Sequence, residues 1–228
     1  MTLMQDLQRA IQQLPAAERA TLATWILESK HPGDAVAESA PTYNAESDTK
    51  PMSAEEYLQV EEQAPIRHEF VGGEMFAMTG GSLAHNLIAL NVAGAFRRQL
   101  QGGPCLTFVN DVKVRLRTRS DDIFYYPDLI VACGARDLTA RYLTDPRVVV
   151  EVLSPSTEAI DRREKLLNYR GIRTLDDYVL IAQTKLEITL HRRGDRWKPL
   201  LLTGPDAILE LTSLGLSLPL VDIYSGAL

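Results

Sequence analysis

"VVVEVLSPST", running from Val148 to Thr157, sets one carboxylate inside a stretch that otherwise reads as a fully buried strand. An unpaired buried carboxylate costs several kcal/mol even after the protein relaxes around it. Glu151 therefore requires a metal ion or a buried ion pair, unless the strand is an exposed edge. The preceding apolar stretch, "IFYYPDLIVAC" from Ile123 to Cys133, carries a second acid, Asp128, directly after Pro127. Proline is tolerated at the first residue of a strand, at an edge or at a bulge, places where a strand opens toward a cleft. Mg²⁺ takes oxygen ligands, usually one or two carboxylates completed by water and phosphate. Asp128 and Glu151 on adjacent strands suit such an ion, with Mn²⁺ as its alternative.

Downstream, "TEAIDRREKLLNYRG" reads as a helix ended by Gly171. Asp161, Lys165 and Tyr169 are spaced four apart along one face, which can turn toward the strand ends and bring a cation to a phosphate. On spacing alone, Asp161 and Lys165 also read as an ordinary surface pair worth a few tenths of a kcal/mol. The segments "DYVLIAQ", "KLEITLHRR" and "WKPLLL" follow as strands.

Upstream, Ser53 is placed to cap a helix over "AEEYLQVEEQ", and Gly72-Gly73 supplies the turn of a hairpin in "IRHEFVGGEMFAM". Glu69 and Glu74 in that hairpin are candidates for a further acid near the metal, or solvent-facing charges. "GGSLAHNLIALNVAGAFRRQL" reads as a helix with Leu83, Leu87, Leu90 and Phe96 available for its apolar stripe. His85 lies early in that helix, within reach of a phosphate. Gly80-Gly81 before it reads either as a plain turn or as room for an anion at the helix start. "LTFVNDVKVRLRTR" alternates as one strand, with Val112, Val114 and Leu116 on one face. Lys113, Arg115, Arg117 and Arg119 on the other face form a basic track for a nucleic-acid backbone, or simply a charged outer face. Strands and helices interleave, which predicts α/β or α+β with a mixed sheet.

At the front, Leu3, Leu7, Ile11 and Leu14, then Leu22, Trp25, Ile26 and Leu27, predict a helical hairpin over residues 1–30. Residues 31–51 are rich in Pro, Ser, Ala and acids and read as a linker, leaving 52–228 as the main domain. "LPAAERATLATWILES" loosely resembles the helical segment of small addiction-module antitoxins, implying a protein-partner or homodimerisation element. The net charge of -6 is concentrated here: 11 of 30 acids but 4 of 24 basic residues lie within 1–62. The rest is close to neutral, so the overall acidity does not exclude a nucleic-acid partner. No apolar run reaches the roughly 20 residues of a membrane span, and "MTLMQDLQRA" lacks signal-peptide character. A cytoplasmic protein without a membrane partner is expected. Cys105 and Cys133 form no zinc-like spacing and no disulfide framework, which suits a reducing compartment.

The stretches "HEFVGGEMFAM" with His85 after it, "YYPDLIV", "VVVEVLSPSTEAIDRREKLLNYRGIRTLDDYVLI" and "LGLSLPLVDIYSG" occur in order from Met52 to Leu220. On these motifs the chain resembles the Uma-two restriction-endonuclease-like family, within the PD-(D/E)xK nuclease superfamily. The resemblance implies a restriction-endonuclease-like central mixed β-sheet flanked by α-helices, here preceded by the N-terminal helical hairpin. It implies that Asp128 and Glu151 hold the metal and that Glu69 and His85 belong to the catalytic group. The superfamily lysine is absent two residues after Glu151, where Leu153 stands, and the resemblance moves that role to Lys165. Asp161 and Tyr169 then fix the lysine and the substrate. The implied function is a Mg²⁺-dependent endodeoxyribonuclease, a hydrolase acting on ester bonds. The alternative is a catalytically degenerate nuclease fold that binds nucleic acid or a protein partner, which Leu153 favours.

Overall fold

The computed structural model describes residues 51–78, 80–118 and 121–228. The expected hairpin over 1–30, the linker up to residue 50, and Arg119 lie outside the described residues. The main domain opens with α1 (Ala54–Gln63), whose start is fixed by a reciprocal cap. Glu56 N donates to Ser53 Oγ (3.2 Å) while Ser53 N donates to Glu56 Oε2 (2.7 Å). Strands β1 (His68–Val71) and β2 (Glu74–Ala77) form the expected hairpin, its turn made by Gly72 and Gly73 at φ 62° and 87°. Helix α2 (Leu83–Gln99) follows.

Next come β3 (Cys105–Val109), β4 (Lys113–Arg117), β5 (Asp122–Tyr125), β6 (Leu129–Cys133), β7 (Tyr142–Leu143) and β8 (Val148–Leu153). A helical run of three pieces crosses back: α3 (Glu158–Ile160), a π-turn segment (Asp161–Lys165) and α4 (Leu166–Tyr169). The chain closes with β9 (Asp177–Ala182), β10 (Glu187–Arg192), β11 (Pro199–Thr203), β12 (Ile208–Leu211), β13 (Leu216–Pro219) and α5 (Leu220–Ile223).

A six-stranded sheet in the order β11-β10-β9-β8-β6-β3 is mixed, since β8 and β9 run parallel and its other neighbours antiparallel. A five-stranded sheet, β2-β1-β5-β4-β7, and the β12–β13 pair complete the fold. The sequence predicts single strands where the chain instead switches sheets twice. "LTFVNDVKVRLRTR" breaks at Asn110, which adopts φ 50°, so β3 joins the six-stranded sheet and β4 the other. "IFYYPDLIVAC" breaks at Tyr126-Pro127-Asp128 in the same way, between β5 and β6.

Period-two alternation sorts the buried strands into two cores. Leu129, Val131, Val148, Val150, Val152 and Val179 pack with α2, β12, β13 and α5. Ile130, Val149, Leu153, Tyr178 and Leu180 face the opposite way, toward Val114, Leu116, Ile123 and Tyr125 of the five-stranded sheet. Glu151 shares that second face. The stripe of α2 is also corrected. Ile88, Ala89, Val92, Ala95 and Phe96 are buried, whereas Leu83 and Leu90 are exposed, since at 3.6 residues per turn these two leucines lie on the side away from Ile88, Val92 and Phe96.

The cysteines depart from expectation. Cys105 and Cys133 stand directly opposite in the antiparallel β3–β6 register and form a disulfide with an S–S distance of 2.04 Å. Their spacing along the chain carries no trace of that pairing, which the strand register creates. Among the described residues no helix is long and apolar enough to cross a membrane.

Candidate active site

The β6–β8 register pairs Leu129 with Val150. That pairing stops one residue short of Asp128 and Glu151, and the Asp128 carboxylate is near enough to act on the Glu151 charge. Asp128 sits just outside β6, where its backbone carbonyl accepts from Asn110 N (3.0 Å) and its Oδ2 accepts from Val152 N (2.7 Å). This second bond caps the end of the ladder and fixes the carboxylate.

Glu151 is buried, and Lys165 supplies the compensation its position requires. Lys165 Nζ lies 3.3 Å from Glu151 Oε1, 2.8 Å from Glu69 Oε1 and 3.2 Å from Asp161 Oδ1. Tyr169 OH donates to Glu151 Oε1 at 3.5 Å, and the Tyr125 ring lies 5.2 Å from the ammonium. The i,i+4 spacing thus marks a buried cluster rather than a surface pair: Asp161 and Lys165 are 2% and 5% exposed. Both belong to the π-turn, a widening that recurs at functional sites. Asp161 Oδ1 is buried and receives no directed hydrogen bond, although it is within ion-pair distance of the lysine.

The hairpin acids separate. Glu69 faces inward and accepts from Tyr126 N (3.2 Å) as well as pairing with Lys165, whereas Glu74 is exposed beside the turn. His85 Nε2 lies 3.3 Å from Asp128 Oδ2. Its placement follows from the start of α2, where Ser82 Oγ accepts from His85 N (3.1 Å). Ser82 Oγ in turn donates to Gln183 Oε1 (2.6 Å), and Gln183 Nε2 donates to Leu153 O (2.8 Å), tying the helix to β8. A Cβ on Gly81 would lie 2.9 Å from His85 Nδ1, so glycine there admits the imidazole.

These contacts set the electrostatics. Burial pushes the Glu151 carboxyl well above its ordinary value, with Lys165 opposing and Asp161, Asp128 and Glu69 reinforcing. Burial works against the Lys165 charge, but Glu151, Glu69 and Asp161 outweigh it and hold the ammonium protonated. The Asp128 hydrogen bond raises His85 against the opposing effect of burial. Burial, with Glu151 nearby, raises the Tyr169 hydroxyl and keeps it a donor.

Among the described residues no three His, Cys, Asp or Glu side chains form a ready-made metal cage. The donor set nevertheless fits a hard divalent cation. Among the described residues Glu69, Asp128, Glu151 and Asp161 face only Lys165 and His85 as counter-charges, and one buried acid oxygen lacks a directed donor. Two neighbouring carboxylates at a strand end, with water completing the shell, are what Mg²⁺ uses.

The basic track is only partly available. Lys113 Nζ donates to Tyr126 OH (3.0 Å), and burial lowers its pKa. Arg115 makes paired bonds of 2.9 Å to Asp122 and a third to Tyr142 OH (2.8 Å). Arg117 is exposed, with one contact to Asp122 at 3.3 Å. Sequence reasoning missed Tyr125, Tyr126, Ser82 and Gln183. The tyrosine pair just ahead of Pro127-Asp128 is a signal that could have been used, whereas nothing local marks Gln183.

The family model Uma2, described as "Putative restriction endonuclease", matches residues 54–221. The chain is 39% identical over 178 residues to the uncharacterized protein slr1290 of Synechocystis sp., covering 77% of this chain and 92% of that one. A second uncharacterized Synechocystis protein, sll1609, is 32% identical, covering 72% and 94%. The crystal structure of "a putative nuclease belonging to DUF820 from Anabaena variabilis" superposes with a TM-score of 0.66 at 17% identity, over 78% of this chain and all of that one. That likeness carries the fold.

Proposed function

The chain belongs to the Uma2 restriction-endonuclease family, and from that membership and the site's geometry we propose that it is a Mg²⁺-dependent endonuclease hydrolysing DNA phosphodiester bonds. The observation that carries the proposal is the Asp128 carboxylate held on Val152 N at 2.7 Å, next to Glu151, with Lys165 Nζ 3.3 Å from Glu151. Asp128 and Glu151 would hold Mg²⁺, or Mn²⁺ in its place. The chemistry supplied when that ion is bound is neutralisation of phosphate charge and polarisation of a water.

The chain's own groups do the rest. Lys165 presents a cation to the phosphate and the incoming oxygen, where negative charge develops. Glu69 and Asp161 hold the ammonium in place, so little reorganisation is needed. His85 and Val152 N restrict Asp128, and the Tyr169 hydroxyl restricts Glu151. Leu153 is buried in the core facing the second sheet, so the cation is delivered from the helical run instead of the strand.

Purified full-length protein incubated with supercoiled plasmid and Mg²⁺ or Mn²⁺ tests the reading. Asp128→Ala and Glu151→Ala should each lower cleavage at least ~100-fold with circular dichroism unchanged, given the rate contribution of such electrostatic groups. Unchanged cleavage by either variant overturns the assignment. The second reading, a nuclease fold kept as a nucleic-acid-binding or protein-binding module, draws on Leu153 and on the full pairing of Lys165. It predicts no calorimetric Mg²⁺ or Mn²⁺ binding that depends on Asp128 and Glu151.

A further inference from the structure

Beside the acid cluster lies a cavity of about 620 Å³ between the end of β4 and the turn after α4, with no Asp or Glu in its lining. We infer, building on the nuclease reading, that this cavity seats the sugar-phosphate backbone of the nucleic acid between Arg117 and Arg173.

Three arginines line it, Arg115, Arg117 and Arg173, but they are not equivalent. Arg115 is committed to Asp122 and Tyr142 and serves as a wall. Arg117 has a side chain 71% exposed and shares the same Asp122 through one longer contact. Arg173 is exposed and has no carboxylate partner among the described residues. One carboxylate thus serves two guanidinium groups while a third is unbalanced, a local cation surplus on a chain whose net charge is -6.

A guanidinium is a planar fork matched to phosphate oxygens, and Thr144 and Asn168 add neutral donors along the same lining. Leu167, 65% exposed at the rim, offers an apolar surface to sugars or bases. On the helical run the exposed Arg163 and Arg170 flank Leu167, with one exposed acid between them, Glu164, whose Oε1 accepts from Tyr125 OH.

Position relative to the acids selects the ligand. Asn168 Nδ2 donates to Tyr125 OH (2.7 Å), and the Tyr125 ring is the one lying 5.2 Å from Lys165 Nζ. The Tyr125 side chain therefore lies between the cavity and the cation of the acid cluster, its hydroxyl donating to the exposed Glu164 at 2.7 Å. A polymer with phosphates at regular intervals can engage both places at once, which a lone anion cannot. Contacts of this kind hold the backbone and do not read bases, so binding should be sequence-independent.

The test uses full-length protein in EDTA, where cleavage is silent, and fluorescence anisotropy with labelled single-stranded DNA, duplex DNA and RNA. Arg117→Ala and Arg173→Ala should each weaken binding several-fold and flatten the salt dependence, by about 0.7 to 0.9 in log-log slope for every phosphate the variant no longer neutralises. Arg98→Ala, an exposed arginine in the last turn of α2 and outside the cavity lining, should bind as the wild type does, and thermal unfolding of the Arg117 and Arg173 variants should match the wild type. Wild-type binding and cleavage with unchanged affinity and slope in both arginine variants overturns the cavity inference and leaves the nuclease reading standing. Binding abolished in the arginine variants, with no cleavage by wild type in Mg²⁺ or Mn²⁺, supports the cavity and removes the nuclease. A wild type that binds no nucleic acid overturns the inference. Equal competition by inorganic phosphate and by an oligonucleotide at matched phosphate concentration also overturns it, by showing a small-anion site.

Discussion

Lys165 lies nearer to Glu69, at 2.8 Å, than to Glu151, at 3.3 Å. The ammonium is shared between a hairpin of one sheet and a central strand of the other, so one cation compensates charge on both. Removing one partner from a buried ionic group costs about 3–5 kcal/mol, because the remaining charges stay buried. Lys165→Met should therefore lower unfolding free energy by about that amount in urea titrations, besides abolishing cleavage. A stability loss under about 1 kcal/mol would mean that the cluster is solvated and the lysine not needed as counter-charge.

His85 gives the site a pH signature. Its folded-state pKa is raised above the ordinary 6.5, chiefly by the Asp128 hydrogen bond. Stability from the protonated ring is thus fully present below the unfolded value and is lost as pH rises through the folded one. Urea midpoints of the metal-free protein should decline across that interval, and His85→Gln should remove the decline. A divalent ion at Asp128 competes with the same proton, so Mg²⁺ affinity by calorimetry should rise with pH over that window in wild type and stay flat in His85→Gln.

Gly81 is placed for closeness. A methyl group there would stand 2.9 Å from His85 Nδ1 and 3.1 Å from Cγ, so the ring must move. Gly81→Ala should return the His85 titration toward its ordinary value by NMR. An unshifted titration would show that the loop yields instead of the imidazole.

The cross-strand disulfide closes a loop of 28 residues that contains β4 and β5. In the chain-entropy account such a closure is worth about 3–4 kcal/mol. Reductant should lower the melting temperature of the wild type and leave a Cys105→Ser/Cys133→Ser variant unchanged. Thiol titration of the denatured, unreduced protein that finds two free cysteines would remove the cross-link.

Asp128 and Glu151 were legible in the sequence because a charge in an apolar run is anomalous wherever the strand pairs. The spacing put Lys165 on one face with Asp161 and Tyr169 but read equally as a surface pair, and it was the family resemblance that singled the lysine out. What escaped was set by partners distant in the chain. The sheet switches at Asn110 and at Tyr126-Pro127-Asp128 depend on which strand each half pairs with. The inward face of α2 depends on the sheet beneath it, and hydropathy alone favoured the larger leucines over Ala89 and Ala95. Ser82 and Gln183 meet across 101 positions, a separation at which no local pattern operates. Lys113 and Arg115 alternate as a basic track should, yet Tyr126 and Asp122 already occupy them.

The segment from Asp161 to Lys165 holds its hydrogen bonds one residue wider than an α-helix does. Deleting one of the three positions between Asp161 and Lys165 would let an ordinary α-helix close, with the acid and the lysine three residues apart instead of four. What lies beyond would keep its direction, because the wide turn takes up one surplus residue. That surplus is a spacer, and its removal would change the one separation from which the ammonium is aimed at Glu151 and Glu69.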